Sequence, residues 1–187
     1  MRIEPTTLDG VLIVTPDIFR DRRGYFMETH HRRRYAAAGI DVDFVQDNLS
    51  YSVRGTLRGL HFQKRRPQAK LISVLWGEIF DVAVDMRPGS AGFGRWFGMH
   101  LSAEDGRQLF VPAGFAHGFC VLSLRAQVHY KCSDFYAPED EEGVIWSDSR
   151  ISIDWPVRSP LVSEKDRLLP TLGELGPEDL PRGEAPR

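Results

Sequence analysis

Short runs rich in valine, isoleucine and aromatic residues recur along the chain, separated by glycine-bearing turns. They cover Gly10 to Val14, Leu71 to Leu75, Ile79 to Asp85, Arg95 to Leu101, Gln108 to Val111, Phe119 to Leu122 and Ala126 to Cys132. Runs of this length and composition predict strands. Gly77-Glu78, between two of them, reads as a hairpin turn. Helical periodicity is scarce: His31 to Ala38, stopped by Gly39, is the best stretch, with a turn expected around Glu164 to Leu168. Many evenly spaced strands and few helices predict an all-β sandwich or barrel. Alternation from Ala126 to Cys132 puts Ala126, Val128, Tyr130 and Cys132 on one apolar, inward face and sends His129 and Lys131 outward. From Thr171 to Arg187 proline, glycine and charge dominate, so residues 171–187 read as a flexible tail on one domain of residues 1–170.

The 187 residues suit a single domain with a real core. A formal charge of −2 excludes nucleic-acid binding by bulk electrostatics, and the basic runs Arg20-Asp21-Arg22-Arg23 and Lys64-Arg65-Arg66 read as solvated faces. No apolar stretch approaches membrane-spanning length and the first residues carry no apolar leader, so no membrane partner is expected. Cys120 and Cys132, both in strand-like sequence, read as buried free thiols of a cytoplasmic protein.

The chemistry begins with a spacing. Gly55, five residues, His61, one residue and Gln63 follow the first motif of the cupin barrels, and Gly106 through Pro112 to His117 follows the second. A metal-binding cupin would carry a second histidine at Gln63 and a glutamate seven residues before Gly77, where Lys70 stands. A neutral amide and an ammonium do not replace an imidazole and a carboxylate around a divalent ion. The expectation is an all-β, cupin-type double-stranded β-helix, a jelly roll with a few short helices. It would need no metal or other cofactor, and the former metal site would serve another use.

A longer ordered set of stretches narrows this. Val45-Gln46-Asp47-Asn48, Leu57 to His61, Ala69-Lys70-Leu71, Gly77 to Asp85, Val111 to Phe119, Tyr130-Lys131, Tyr136-Ala137-Pro138-Glu139, Ile153 to Pro156 and Ser163 to Asp166 together resemble the dTDP-4-dehydrorhamnose 3,5-epimerases. These are metal-independent cupins of deoxysugar biosynthesis, and the likeness runs from about Gly10 to Pro170. It implies epimerisation at C3 and C5 of a dTDP-linked 4-keto-6-deoxyhexose. Both carbons flank the C4 ketone, so their hydrogens can leave as protons if the enolate is stabilised.

The resemblance implies a role for each site residue. His61 is the base, since imidazole accepts a proton near neutrality, and Asp166 is the carboxylate that fixes its tautomer. Tyr130 is the acid on the opposite face, and Lys70 supplies positive charge beside the C4 oxygen. His117 contacts the substrate, Arg58 and Arg23 hold phosphate, and Tyr136 stacks on thymine. Glu28, Gln46, Asp47, Asn48, Glu141 and Lys165 fall at further substrate-contact positions. The resemblance also implies a homodimer whose N-terminal strands exchange, so that Arg23 and Glu28 serve the neighbour's site. Three rival readings stand beside it. An epimerase acting at C3 or C5 alone would carry nearly the same residues. Gln63 and Lys70 count heavily against a metal-dependent cupin, and a non-catalytic nucleotide-sugar binding module would be marked by a lost base or acid.

Overall fold

The computed structural model of the chain describes residues 1–182. Its strands are β1 (Arg2–Pro5), β2 (Leu12–Thr15), β3 (Ile18–Asp21), β4 (Gly24–Met27), β5 (Gln46–Val53), β6 (Leu57–Gln63) and β7 (Lys70–Trp76). They continue as β8 (Glu78–Asp85), β9 (Trp96–Ser102), β10 (Gln108–Val111), β11 (Phe115–Val121), β12 (Arg125–Cys132) and β13 (Glu141–Gly143). Two short helices, α1 (Arg32–Ala37) and α2 (Glu164–Arg167), fall where they were expected. The first sheet runs β1-β2-β10-β7-β12-β5 and the second β13-β6-β11-β8-β9, each antiparallel throughout, while β3 and β4 form a separate hairpin. This is the jelly roll anticipated from the spacing.

Burial explains why these segments are strands. The core between the sheets gathers Ile72, Val74, Val128 and Ala126 from the first sheet and Ile79, Ala83, Leu101, Phe119 and Val121 from the second. β8 is covered on both faces, which is why its apolar residues run almost without interruption. Tyr35 and Ile40 cover the outer side of the first sheet near Leu71 and Phe110.

Two expectations are corrected. Gly77 does not turn a hairpin: β7 lies in the first sheet and β8 in the second, so the chain crosses the barrel wall there. The crossing needs φ of +79° at Gly77, and a Cβ on that residue would lie 2.2 Å from the Arg125 carbonyl oxygen and 2.3 Å from Ser123 Oγ. Gly77→Ala combines a left-handed backbone with overpacking, so a loss of about 3 kcal/mol is expected, read as a melting temperature lower by about 10 °C. A variant melting within about 2 °C of the parent would show that the corner relaxes freely.

The second correction concerns the expected tail. Leu172, Leu175 and Leu180 pack against the outer face of the second sheet, beside Phe80, Val82 and Ile151. The strap is also bonded in place, with Leu172 N donating to Asp148 at 2.7 Å and Arg182 N to the Lys64 carbonyl at 2.7 Å. Three spaced leucines outweigh the prolines and glycines between them. The remainder of that segment, residues 183–187, lies outside the described residues.

Candidate active site

A cavity of about 590 Å³ opens between the two sheets. The second sheet supplies His61 from β6 and His117 from β11, which sit directly opposite each other in the strand register. The first sheet supplies Lys70 from β7 and Tyr130 from β12, the latter on the inward face that alternation predicted. The two pairs therefore face each other across the barrel interior.

His61 is fixed from behind. Leu57 N donates to the Leu161 carbonyl and Leu161 N to the Gly55 carbonyl, which ties the segment after residue 160 to the start of β6. Ser163 then caps α2, its Oγ accepting from Asp166 N at 3.1 Å, and turns the Asp166 side chain inward. Asp166 Oδ1 lies 2.8 Å from His61 Nε2, and its Oδ2 accepts from Gly59 N at 3.2 Å. Gly59 has φ of +116°, and a Cβ there would meet Gly118 Cα and the His117 carbonyl at 2.7 Å, so only glycine allows β6 and β11 to approach this closely.

Burial works to raise the Asp166 pKa, but the His61 ring and the Gly59 N–H outweigh it and hold the carboxyl below its usual range. A carboxyl depressed in the fold contributes stability that is complete above its unfolded pKa of about 3.9 and is lost as pH falls through the lower folded value. Asp166→Asn is therefore expected to melt below the parent at about pH 7 and to draw level with it only once pH has fallen through the lowered folded-state value. Parallel melting curves across that range would count against a charge-assisted pair.

A second histidine–carboxylate pair lies deeper, with His117 Nε2 2.8 Å from Asp81 Oδ1. Asp81 is fully buried. It escaped the sequence reading although alternation along Ile79, Asp81 and Ala83 places it on the inward face; a carboxylate on an otherwise apolar face was the available signal. Lys70 is enclosed by protein around the cavity, and burial pushes its pKa down, with Cys132, Glu141 and Asp81 only partly offsetting this. Burial likewise raises the Tyr130 pKa, so its phenol stays protonated at neutral pH.

Toward the mouth, Glu141 accepts from the Tyr136 hydroxyl at 2.6 Å and pairs with the Lys165 ammonium. Burial opposes the charge on Glu141, but these partners hold its carboxyl below its ordinary range, and the Tyr136 phenol is pushed up to about 12, first by that hydrogen bond and then by burial. Glu141 Oε1 also lies 3.9 Å from His61 Nδ1. Gln46 Nε2 donates to Asn48 Oδ1 at 3.0 Å and Arg58 Nε to Ser52 Oγ at 3.0 Å, with Gln46, Asn48 and Arg58 all on the cavity wall. Ser50, Gln68, Phe119 and Ser163 also line the cavity and were not singled out from sequence.

Asp47, expected among the substrate contacts, does not reach this cavity, and Arg23 and Glu28, expected to serve a neighbour's site, also lie outside it. Asp47 points to the opposite face of β5 from Gln46 and Asn48, where it accepts from Lys131 Nζ at 2.7 Å. Strand alternation requires this, since three consecutive residues cannot line one face. Arg23 pairs with Asp21 at 2.6 Å on the β3–β4 hairpin, and Glu28 with Arg34 at 2.9 Å. Gln63, where a metal-binding cupin carries an imidazole, has both ends of its amide engaged with backbone groups. No group of three histidine, cysteine, aspartate or glutamate side chains able to hold a metal occurs among the described residues, nor does any helix long and apolar enough to cross a membrane.

A family model described as dTDP-4-dehydrorhamnose 3,5-epimerase matches residues 5–174. An enzyme of that name from Methanothermobacter thermautotrophicus is 52% identical over 169 residues, covering 89% of this chain and 91% of the relative. The crystal structure of a dTDP-6-deoxy-D-glucose-3,5-epimerase from Legionella pneumophila, in complex with dTDP-4-keto-L-rhamnose, superposes with a TM-score of 0.94 at 47% identity, covering 98% of this chain and 99% of that one. A dTDP-4-dehydrorhamnose 3-epimerase from Streptomyces niveus is 41% identical, over 89% of this chain and 82% of its own length. With the model spanning nearly the whole barrel and such relatives at about half identity, this chain belongs to the dTDP-4-dehydrorhamnose 3,5-epimerase family of isomerases.

Proposed function

We propose that this chain converts dTDP-4-dehydro-6-deoxy-D-glucose to dTDP-4-dehydro-L-rhamnose by inverting C3 and C5 in turn. The observation that carries the reading is the His61–Asp166 pair on one wall of a cavity whose other wall holds Tyr130 and Lys70. Asp166 engages Nε2, which leaves Nδ1 of His61 to take the proton from a carbon beside the ketone. The electron pair moves onto the C4 oxygen, and the resulting enolate is stabilised by Lys70. Before substrate arrives burial disfavours the charge on Lys70; an oxygen gaining negative charge restores it, so the attraction grows toward the transition state. Tyr130 then returns a proton from the opposite wall, and inversion follows. Lys70→Met is expected to lower kcat by about a hundredfold with a smaller change in KM; a defect confined to KM would contradict the electrostatic role.

Arg58 and His117 serve as contacts for the diphosphate and sugar, Tyr136 as the surface for thymine, and Gln46, Asn48, Glu141 and Lys165 as polar contacts around it. Arg23 and Glu28 act on the site of a second copy. The β3–β4 hairpin supports this: a two-stranded hairpin is marginal alone in water, yet it holds Phe19 and Phe26 64% and 70% exposed. A second copy seated on that hairpin, with the exposed Leu49 and Tyr51 of β5, buries these side chains. Light scattering on the purified protein tests the homodimer, for which a monomeric mass would remove the argument. A reducing, cytoplasmic setting accords with the two buried free thiols.

Incubation with dTDP-4-dehydro-6-deoxy-D-glucose in heavy water tests the chemistry. Gain of two deuterons, with product accepted by a rhamnose-forming reductase, is the expected result. Gain of one would favour the single-position alternative, which the Streptomyces niveus relative keeps in view. No gain alongside demonstrable dTDP binding would leave only a binding module.

A further inference from the structure

Gln63 occupies a metal-ligand position of the cupin barrel, and the structure gives its amide another task. The side chain is 4% exposed, yet it belongs to the wall of the cavity. Its Oε1 accepts from Ala137 N at 2.7 Å, while its Nε2 donates to the Phe135 carbonyl at 3.4 Å and to the Arg66 carbonyl at 3.0 Å. The residues gripped, 135 and 137, flank Tyr136. The amide N of Tyr136 itself donates to Gln46 Oε1 at 2.9 Å. Two glutamines, from β6 and β5, thus hold three consecutive residues of one loop by their backbone.

The circuit closes through the tyrosine hydroxyl. It donates to Glu141, and Glu141 stands directly opposite Gln63 in the pairing of β13 with β6. Tyr136 is therefore fixed at its backbone by Gln63 and at its ring tip by the residue paired with Gln63. Tyr136 remains 48% exposed, at the cavity mouth. A half-exposed aromatic held at both ends is a surface ready for a flat ligand, since little side-chain freedom remains to be lost on binding.

We propose that Gln63 is a positioning residue: acting through the backbone of residues 135–137, it presents the Tyr136 ring to the nucleobase of the substrate. The inference rests on the dTDP-sugar reading above and assigns Gln63 no contact with the reacting carbons. It separates binding from chemistry, because Gln63 steadies the mouth of the cavity while Asp166 steadies the base.

Gln63→Leu keeps the approximate volume and removes all three hydrogen bonds. Its KM for the dTDP-sugar, and its Kd for dTDP by calorimetry, are expected to rise about tenfold with kcat within about twofold of the parent. In a Tyr136→Ala background the same substitution is expected to change Kd by less than about twofold, because the surface it positions is gone. Should Gln63→Leu fail to fold, Gln63→Glu retains the acceptor for Ala137 N and loses the two donors, and the same tenfold rise is expected. Equal losses in both backgrounds, or a loss in kcat at unchanged KM, would overturn the positioning role while leaving epimerase function intact. Failure of the parent protein itself to bind dTDP would overturn the functional reading and this inference with it.

Discussion

His61→Ala is expected to slow deuterium exchange into the substrate by on the order of 10⁴, with dTDP affinity changed by less than about threefold. The size follows from what remains after truncation. Among the described residues, His117 is the other imidazole of the cavity, and its Nε2 is committed to buried Asp81 on the same sheet. Lys70 faces the cavity from the opposite wall, and in the proposed mechanism it serves the enolate oxygen rather than the α-proton. Glu141 approaches His61 Nδ1 but is engaged by Tyr136 and Lys165, which makes it a poor proton acceptor. Exchange measured by mass spectrometry at saturating substrate, with calorimetric titration of dTDP alongside, separates the base from the binding surface. Exchange within about tenfold of the parent would remove His61 from its role.

Tyr130→Phe is expected to uncouple exchange from inversion. The substitution removes one oxygen and leaves the ring in place, so the cavity keeps its shape. His61 can still take a proton and, after trading it with solvent, return a deuteron to the face it came from. Epimerised product is then expected to fall by on the order of 10³ while exchange with retention falls far less. The ratio of deuterium in recovered substrate to product formed is the quantity to measure. The sheets make this a directional test, because β6 and β12 lie in different sheets and their side chains meet across the interior. An unchanged ratio would mean that the second proton does not come from Tyr130.

Much of this site was readable before the fold was known, for identifiable reasons. His61 and His117 sit at fixed distances from glycines that turn the chain, so spacing alone recovers them. Tyr130 lies mid-strand, where a period of two decides its side. The Asp47 expectation failed by ignoring that same period between Gln46 and Asn48. The Gly77 corner was illegible for a different reason. A glycine between two apolar runs can turn a hairpin or carry the chain to another sheet, and the choice depends on β12, β10 and β11, which come later in the sequence. The C-terminal strap was misread because local composition hides three leucines whose worth depends on a sheet surface far away in the chain. Asp81 shows the reverse case: its place on an apolar inward face was a local signal, but the partner that explains it, His117, lies 36 positions on.

The strap carries one more consequence. It is translated after every strand it covers, so Phe80, Val82 and Ile151 have only the partial cover of residues such as Ile153 and Trp155 while the barrel is being assembled on the ribosome. During that interval the outer face of the second sheet is a sticky surface, and exposed apolar strand faces drive aggregation before folding is complete. A chain cut short at residue 170 would hold that condition permanently, with its cavity walls present and its outer side only partly sealed. Yield on expression, rather than turnover per folded molecule, is where such a truncation would first be felt.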